Sequence, residues 1–527
     1  MSTTFEGGVQ PYGDDFIGQT ERDDATADRE DVRVIVLSGE ARGIEVVAQS
    51  GADPGHLVRR HLLALTAAAE HDAAIGRAPG DGACHRQADR RIVDRDLAVR
   101  PVVVDEVAES RERLLEMLLQ HEARMVGADG DAHGERLYYV ARAMIPSVVI
   151  SARGEERLHS GHPWIYRSDI LEARAAGGDV VAVEGRRGRA LGRALYSDRS
   201  QIALRLVGHG ERVPDDWLRR RLLEAIAFRR RLNIDATACR LVHGEADLLP
   251  SLVVDRYADY LVVQALSQGM DRLLGPVTDL LVEALEPKGI LARNDPRSRG
   301  FEGLEQRVEV LSGEVPERVS IRELGIEYHV DLRRGQKTGL FLDQRENRAA
   351  AALYARGRLL DCFSYHGGFA LVLGRQCDET IAFDSSEEAI ALLRENATRN
   401  NIAVDARVGN VFDELRGLDR SGQRFDTIVL DPPAFAKTKA AVPNARAGYK
   451  EINLRALKLL NPGGTLVTCS CSYNLSEAMF AEIVYEAAVD ARAQVTVLEK
   501  RMQGRDHPVL LGVPETYYLK CFILRKL

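Results

Sequence analysis

From residue 326 onward, short apolar runs alternate with amphipathic stretches, and this pattern predicts a doubly wound parallel sheet with helices on both faces. The predicted strands are 358–362, 380–383, 404–408, 427–430 and 464–469, with a late strand at 519–524. Residues 146–212 behave differently. Short alternating runs at 148–150, 180–183, 192–196 and 201–206, set between Gly-rich turns, predict a small β-barrel with Trp164 in its core. Residues 213–325 mix the two periods. A helix is expected at 217–232, a hairpin from 252–255 and 260–265, and a second helix at 271–285.

Residues 1–143 lack a sustained period of either kind. They are expected to be a disordered extension, or upstream sequence translated from a start placed too early. A small genuine domain is the competing reading, favoured by the helical pattern at 109–126.

Composition sharpens this division. The chain has 527 residues, 45% of them hydrophobic, enough for roughly three or four packed domains. No apolar run approaches the roughly 20 residues of a membrane span, and no basic-then-apolar leader opens the chain. A cytoplasmic protein without membrane contact is expected. The seven cysteines are scattered, and Cys469 and Cys471 form C-x-C rather than C-x-x-C, so neither disulfides nor a structural zinc is expected. Net charge is −8, but residues 1–143 hold 27 acidic residues and 17 Arg with no Lys, leaving the remainder at +2. Basic patches there can still bind phosphates. One candidate is the helix at 217–232, with Arg219, Arg220, Arg221, Arg229, Arg230 and Arg231 read as a basic face; Arg229, Arg230 and Arg231 are the RNA-binding candidates.

Two strand tips carry the chemistry. Asp431-Pro432-Pro433-Ala434-Phe435 follows one predicted strand, and Cys469-Ser470-Cys471-Ser472 closes the next. Both fall at the carboxyl edge of a parallel sheet, where open α/β folds bind ligands. An acid, a rigid turn, an aromatic and a thiol suit a flat heteroaromatic substrate, a nucleobase above all. A second cluster suits a nucleoside cofactor. Asp361-Cys362-Phe363-Ser364-Tyr365-His366-Gly367-Gly368 follows the first strand, and its glycines allow backbone close to a ligand at a helix N-terminus. The run is not G-x-G-x-x-G, which disfavours a dinucleotide. Asp384, with Ser385 beside it, ends the next strand, where a carboxylate binds ribose hydroxyls. Asn410 follows the third strand, placed for an adenine edge. S-adenosylmethionine fits this set.

With these residues in order, the chain resembles the bacterial 23S ribosomal RNA cytosine-5 methyltransferases that carry a PUA domain. The resemblance spans about residues 146–527. It also rests on Gly161-His162-Pro163-Trp164, on the run from Leu249 to Tyr257, on Gly335-Gln336-Lys337-Thr338-Gly339 with Asp343-Gln344-Arg345, on Asp506-His507-Pro508 and on Tyr518-Leu519-Lys520. It implies an α/β architecture: a Rossmann-like class I methyltransferase domain at 326–527, preceded by a PUA-like barrel at 146–212 and a central α+β domain at 213–325. It places Gln336, Lys337 and Arg345 near cofactor or RNA. Asn410 departs from the Asp usual in the family.

The resemblance makes Cys471 the nucleophile that adds to cytosine C6, with Cys469 as its rival. A protonated Asp431 would hydrogen-bond N3. Pro433 and Phe435 would contact an extracted base, Phe435 by stacking. Ala434 stands where other RNA cytosine-5 enzymes carry a second cysteine. The expected partner is rRNA, naked or in a precursor particle, and a homodimer is compatible with the sequence. The rivals are a guanine-N methyltransferase on the same fold, a noncatalytic RNA-binding protein, and a small-molecule methyltransferase.

Overall fold

The computed structural model describes residues 146–210 and 212–527; the expectations for residues 1–143 lie outside the described residues. From Ser147 to His209, six strands form one sheet around Val148, Ile150, Ile165, Val181, Val183 and Leu204. Trp164 is not in that core. It is only partly buried, and its Nε1 donates to Glu245 Oε1 at 3.1 Å, tying the barrel to the central domain.

The central domain holds a five-stranded sheet in the order Arg307–Gly313, Gly289–Asn294, Tyr260–Ala265, Leu252–Tyr257, Ala238–His243. The helix expected at 271–285 is two helices, Gln268–Arg272 and Leu274–Leu285. Pro276 has no N–H to give to the carbonyl four residues back, so the helix restarts. The boundary expected between 325 and 326 falls within the turn of a hairpin, Arg318–Glu323 with Ile326–Asp331. Leu324 (φ 51°) and Gly325 (φ 74°) make that turn, the left-handed pair a two-residue hairpin requires. Hairpin residues Ile321, Tyr328 and Val330 share one core with Tyr257 and Leu291 of the central domain and with Leu359 and Val429 beyond it. The two regions are therefore continuous inside.

The C-terminal sheet contains β1 (Arg358–Cys362), β2 (Glu379–Asp384), β3 (Asp405–Val408), β4 (Phe425–Leu430), β5 (Leu460–Ser470), β6 (Val495–Arg501) and β7 (Lys520–Lys526). Their order is β3-β2-β1-β4-β5-β7-β6. β1 to β5 run parallel, and β7 is antiparallel to both neighbours. β1 and β4 are buried on both faces, so they read as continuous apolar runs. Helices α1 (Arg345–Ala352), α2 (Gly368–Gly374), α3 (Glu387–Arg399), α4 (Val411–Arg420), α5 (Val442–Leu459) and α6 (Glu477–Asp490) complete the domain. The strand order reverses between β1 and β4, which opens the ligand crevice at their carboxyl ends. Three helices are capped on that side: Ser386, Asn410 and Ser476 each accept a backbone N–H of the first turn. Each such cap stabilises its helix by about 1 kcal/mol.

Candidate active site

The loop after β1 is bent to receive a ligand. Phe363 (φ 65°) and Tyr365 (φ 49°) take left-handed conformations, a strain that persists only where the surroundings impose it and that concentrates at functional sites. Gly367 (φ 87°) has no room for a side chain, since a Cβ there would lie 2.9 Å from Leu393. Asp384, at the tip of β2, holds this loop: Oδ2 accepts Tyr365 N at 2.9 Å and Oδ1 accepts Ser386 N at 3.0 Å. Each oxygen keeps a lone pair for a ribose hydroxyl. Tyr365 Oη in turn accepts Gln336 N at 2.7 Å, bringing in the loop that carries Lys337.

Asp361 supplies the clearest sign of an occupant. Its Oδ2 accepts Ala370 N at 2.8 Å, while the buried Oδ1 has no partner among the described residues. Burial pushes this carboxyl up to about 8, and the neighbouring Asp431 and Asp384 add to the shift. A cationic ligand would relieve that unfavourable burial of negative charge. The orphan oxygen, the strained loop and the free lone pairs of Asp384 fit S-adenosylmethionine, whose ribose and positively charged amino-acid end match this donor set. Asn410 Oδ1 already accepts Phe412 N at 3.0 Å as the cap of α4, which leaves one lone pair on that oxygen and the Nδ2 donors for an adenine. Ser385 is exposed beside Asp384, and Gly368 adjoins Arg348, whose Nε lies 2.7 Å from where a Cβ would stand. Replacing Asp384 with Ala is expected to weaken S-adenosylmethionine binding about tenfold or more, the scale of a charge-assisted hydrogen bond. Calorimetry reads the change, and unchanged affinity would remove the ribose contact.

The tips of β4 and β5 meet beside this pocket. Cys471, the first residue past β5, is partly buried, and its Sγ donates to Pro432 O at 3.7 Å. Burial pushes its thiol up to about 11; Asp431 adds to the shift and Lys337 opposes it. Cys469 lies inside β5, fully buried and opposite Cys521 across the β5–β7 pair. Burial and the Cys521 contact hold its thiol well above the usual range. Asp431 is pushed up to about 6 by burial and by Asp343. Gln344 Nε2 donates to Asp431 Oδ1 at 2.8 Å, and Asn347 Nδ2 holds Gln344 Oε1 at 2.7 Å. Phe435 packs in a row with Phe363, Phe412 and Tyr449, ring centres 6.4, 6.0 and 4.7 Å away, while Pro433 is exposed.

Two expectations need correction. Arg345 reaches neither a cofactor pocket nor the surface. It is buried, with Nη2 on Asp506 Oδ2 at 2.8 Å and Nε 3.5 Å from Glu323. Arg229 is buried as well, pairing with Asp247 at 2.5 Å and donating to Asp506 O. Arg219, Arg220 and Arg221 are spent on Glu283, Asp216 and Glu224, which leaves Arg230 and Arg231 exposed. Gln344 escaped the sequence reading, although it sits next to Arg345 in the same motif. Lys337 Nζ is 2.5 Å from Asp343 Oδ2 and 4.5 Å from the Phe341 ring centre.

This strand order, with Asp361, Asp384 and Asp431 at the strand ends around the point where it reverses, is that of a class I S-adenosylmethionine-dependent methyltransferase, here joined to a PUA-like domain. The S-adenosylmethionine-dependent methyltransferase family matches residues 302–508 and the PUA-like domain family matches residues 148–208. The chain is 40% identical over 395 residues to ribosomal RNA large subunit methyltransferase I of Tolumonas auensis, covering 72% of this chain and 100% of that one. It is 40% identical over 383 residues to the Aeromonas salmonicida protein of the same name, covering 70% and 97%. Among solved structures, SMU.776 in complex with SAH superposes with a TM-score of 0.63 at 21% identity, covering 72% of this chain and 100% of that one, a likeness of fold. The chain belongs to the ribosomal RNA large subunit methyltransferase I family.

Proposed function

We propose that this enzyme forms 5-methylcytosine in large-subunit rRNA through a covalent bond between Cys471 Sγ and cytosine C6. The observation that carries the reading is the placement of Cys471 just past β5, against Pro432 and beside Asp431, while Cys469 is sealed in the strand. The family name supplies the rRNA.

Cytosine C5 is a poor nucleophile until a thiolate adds to C6. S-adenosylmethionine, when bound, supplies the electrophilic methyl group that C5 attacks. Cys471 gives its electron pair to C6, and the negative charge moves through C5 towards N3. Asp431, carrying its proton, hydrogen-bonds N3 and stabilises that charge. After the methyl has joined C5, the C5 proton departs to a base, the electrons return to form the C5–C6 double bond, and Cys471 leaves as thiolate. Ala434 offers no second thiol, so elimination proceeds without one. A proton on Asp431 also removes a negative neighbour that holds Cys471 in its thiol form, so the two protonation states the chemistry needs support each other. Gln344 occupies Oδ1 of Asp431 and leaves Oδ2 to carry the proton.

The reading is tested by methylating a large-subunit rRNA substrate with labelled S-adenosylmethionine and digesting to nucleosides. Label in 5-methylcytidine supports it, and label in a methylguanosine overturns it. For docking, Arg230 and Arg231 are exposed arginines of their helix with no ion pair among the described residues. Changing both to Ala is expected to lower the slope of log affinity against log salt by up to about 2. Filter binding at several salt concentrations reads it, and an unchanged slope would mean this face is merely solvated.

A further inference from the structure

Lys520 is a buried cation that the reaction as described does not use. It is 2% exposed at the start of β7, and its Cα lies opposite Ser470 in the β5–β7 pair. Its Nζ donates to Ser472 O at 2.8 Å and to Tyr518 O at 2.9 Å, both neutral carbonyls. Among the described residues, no carboxylate lies within ion-pair distance of it. Burying an ammonium on such partners is costly, and a hydrophobic side chain would fill the same space at less expense.

The turn it grips is the one that bears the nucleophile. Ser472 Oγ accepts Ala436 N at 3.1 Å and meets Tyr449 Oη at 3.0 Å. Asn474 Nδ2 donates to Ala436 O at 3.2 Å. The loop after Asp431 therefore pins the Cys471–Ser472 turn from one side, and Lys520 pins it from the other. Resting on the assignment of Cys471 as nucleophile, we propose that Lys520 is a positioning residue: its ammonium fixes the Cys471–Ser472 turn through the Ser472 carbonyl and stabilises negative charge on Cys471 Sγ. Burial pulls this ammonium down to about 8, while Cys471 and Glu477 draw it back up. It therefore still carries its charge at neutral pH, where attack on C6 needs a thiolate.

The test follows alkylation of Cys471 by iodoacetamide across pH in the full chain without RNA, reading the Cys471 peptide by mass spectrometry. Lys520→Met keeps the volume and loses the charge, Lys520→Gln keeps a donor for Ser472 O without charge, and Lys520→Arg keeps the charge. At pH 7, where Lys520 is still charged, alkylation is expected to slow about tenfold in the Met and Gln variants, the effect of losing a nearby opposite charge, and to stay close to wild type in Lys520→Arg. If Lys520→Met does not fold, Lys520→Gln against Lys520→Arg decides. An unchanged rate at pH 7 without the charge, or an equal loss in all folded variants, would overturn the proposal. Trapping by a cytosine analogue combined with an unchanged alkylation rate at pH 7 would reject Lys520 alone. Absence of any trapped adduct would reject the nucleophile assignment instead.

Discussion

Cys471→Ala is expected to abolish methyl transfer while folding and S-adenosylmethionine binding stay near wild type. The thiol forms the bond that turns C5 into a nucleophile, so its loss removes a chemical step rather than an increment of binding. Cys471 lies past the strand end and outside the buried core clusters, and among the described residues its side chain's hydrogen bond is to Pro432 O. Cys469→Ala is expected to retain activity and to lose about 1 kcal/mol of stability, the cost of a small cavity opposite Cys521. Single-turnover methylation assays and thermal melts on both variants separate the roles. Inactivity confined to Cys469→Ala would reverse the assignment.

The second large effect is structural. Asp506 joins segments distant in sequence: Oδ2 accepts Arg240 N at 3.0 Å and Arg345 Nη2 at 2.8 Å, and Oδ1 meets His507 Nδ1 at 2.9 Å. Its carbonyl accepts Arg229. Burial alone would raise the carboxyl, yet His507 and Arg345 hold it well below the usual carboxylate range. Asp506→Ala leaves a buried guanidinium short of its partner and is expected to cost about 3–5 kcal/mol. A folded-state value below the unfolded one means that the unfolded chain binds the extra proton first. The stabilisation is therefore complete above about pH 4 and falls away as the solution becomes more acid. Denaturant melts at pH 7 and pH 3 measure both parts. The difference between wild type and variant should be large at pH 7 and smaller at pH 3. Equal stability at pH 7 would show that the network contributes nothing.

The sheet was legible because parallel strands buried on both faces appear as unbroken apolar runs, as in β1 and β4. β6 escaped notice because Val495–Arg501 is an edge strand, with Thr496, Val497 and Lys500 exposed and its apolar positions confined to Val495, Val497 and Leu498. Arg229 was misread by charge. It lies three, four and seven residues after Ile226, Ala225 and Leu222, so helical spacing puts it on their buried face, and its partner Asp506 is 277 residues away. The role of Arg345 was hidden in the same way, since it lies 161 residues from Asp506. Candidate site residues at strand tips were readable, since Asp361, Asp384, Asp431 and Cys471 each end or follow a strand that pattern alone predicts. The support beneath them was not: Gln344, Asn347 and Lys520 reach the site from the turn before α1, from α1 itself and from β7, and no local period signals those contacts.

The central claim is a covalent bond between Cys471 and cytosine C6. RNA substrate carrying 5-fluorocytidine at the target tests it, because fluorine on C5 cannot depart as the proton does, and the methylated adduct cannot eliminate. With S-adenosylmethionine present, wild type and Cys469→Ala should each give a protein–RNA band that survives denaturing electrophoresis, with the crosslinked peptide mapping to Cys471, and Cys471→Ala should give none. An adduct that persists in Cys471→Ala, or full methylation activity in that variant, would contradict the account.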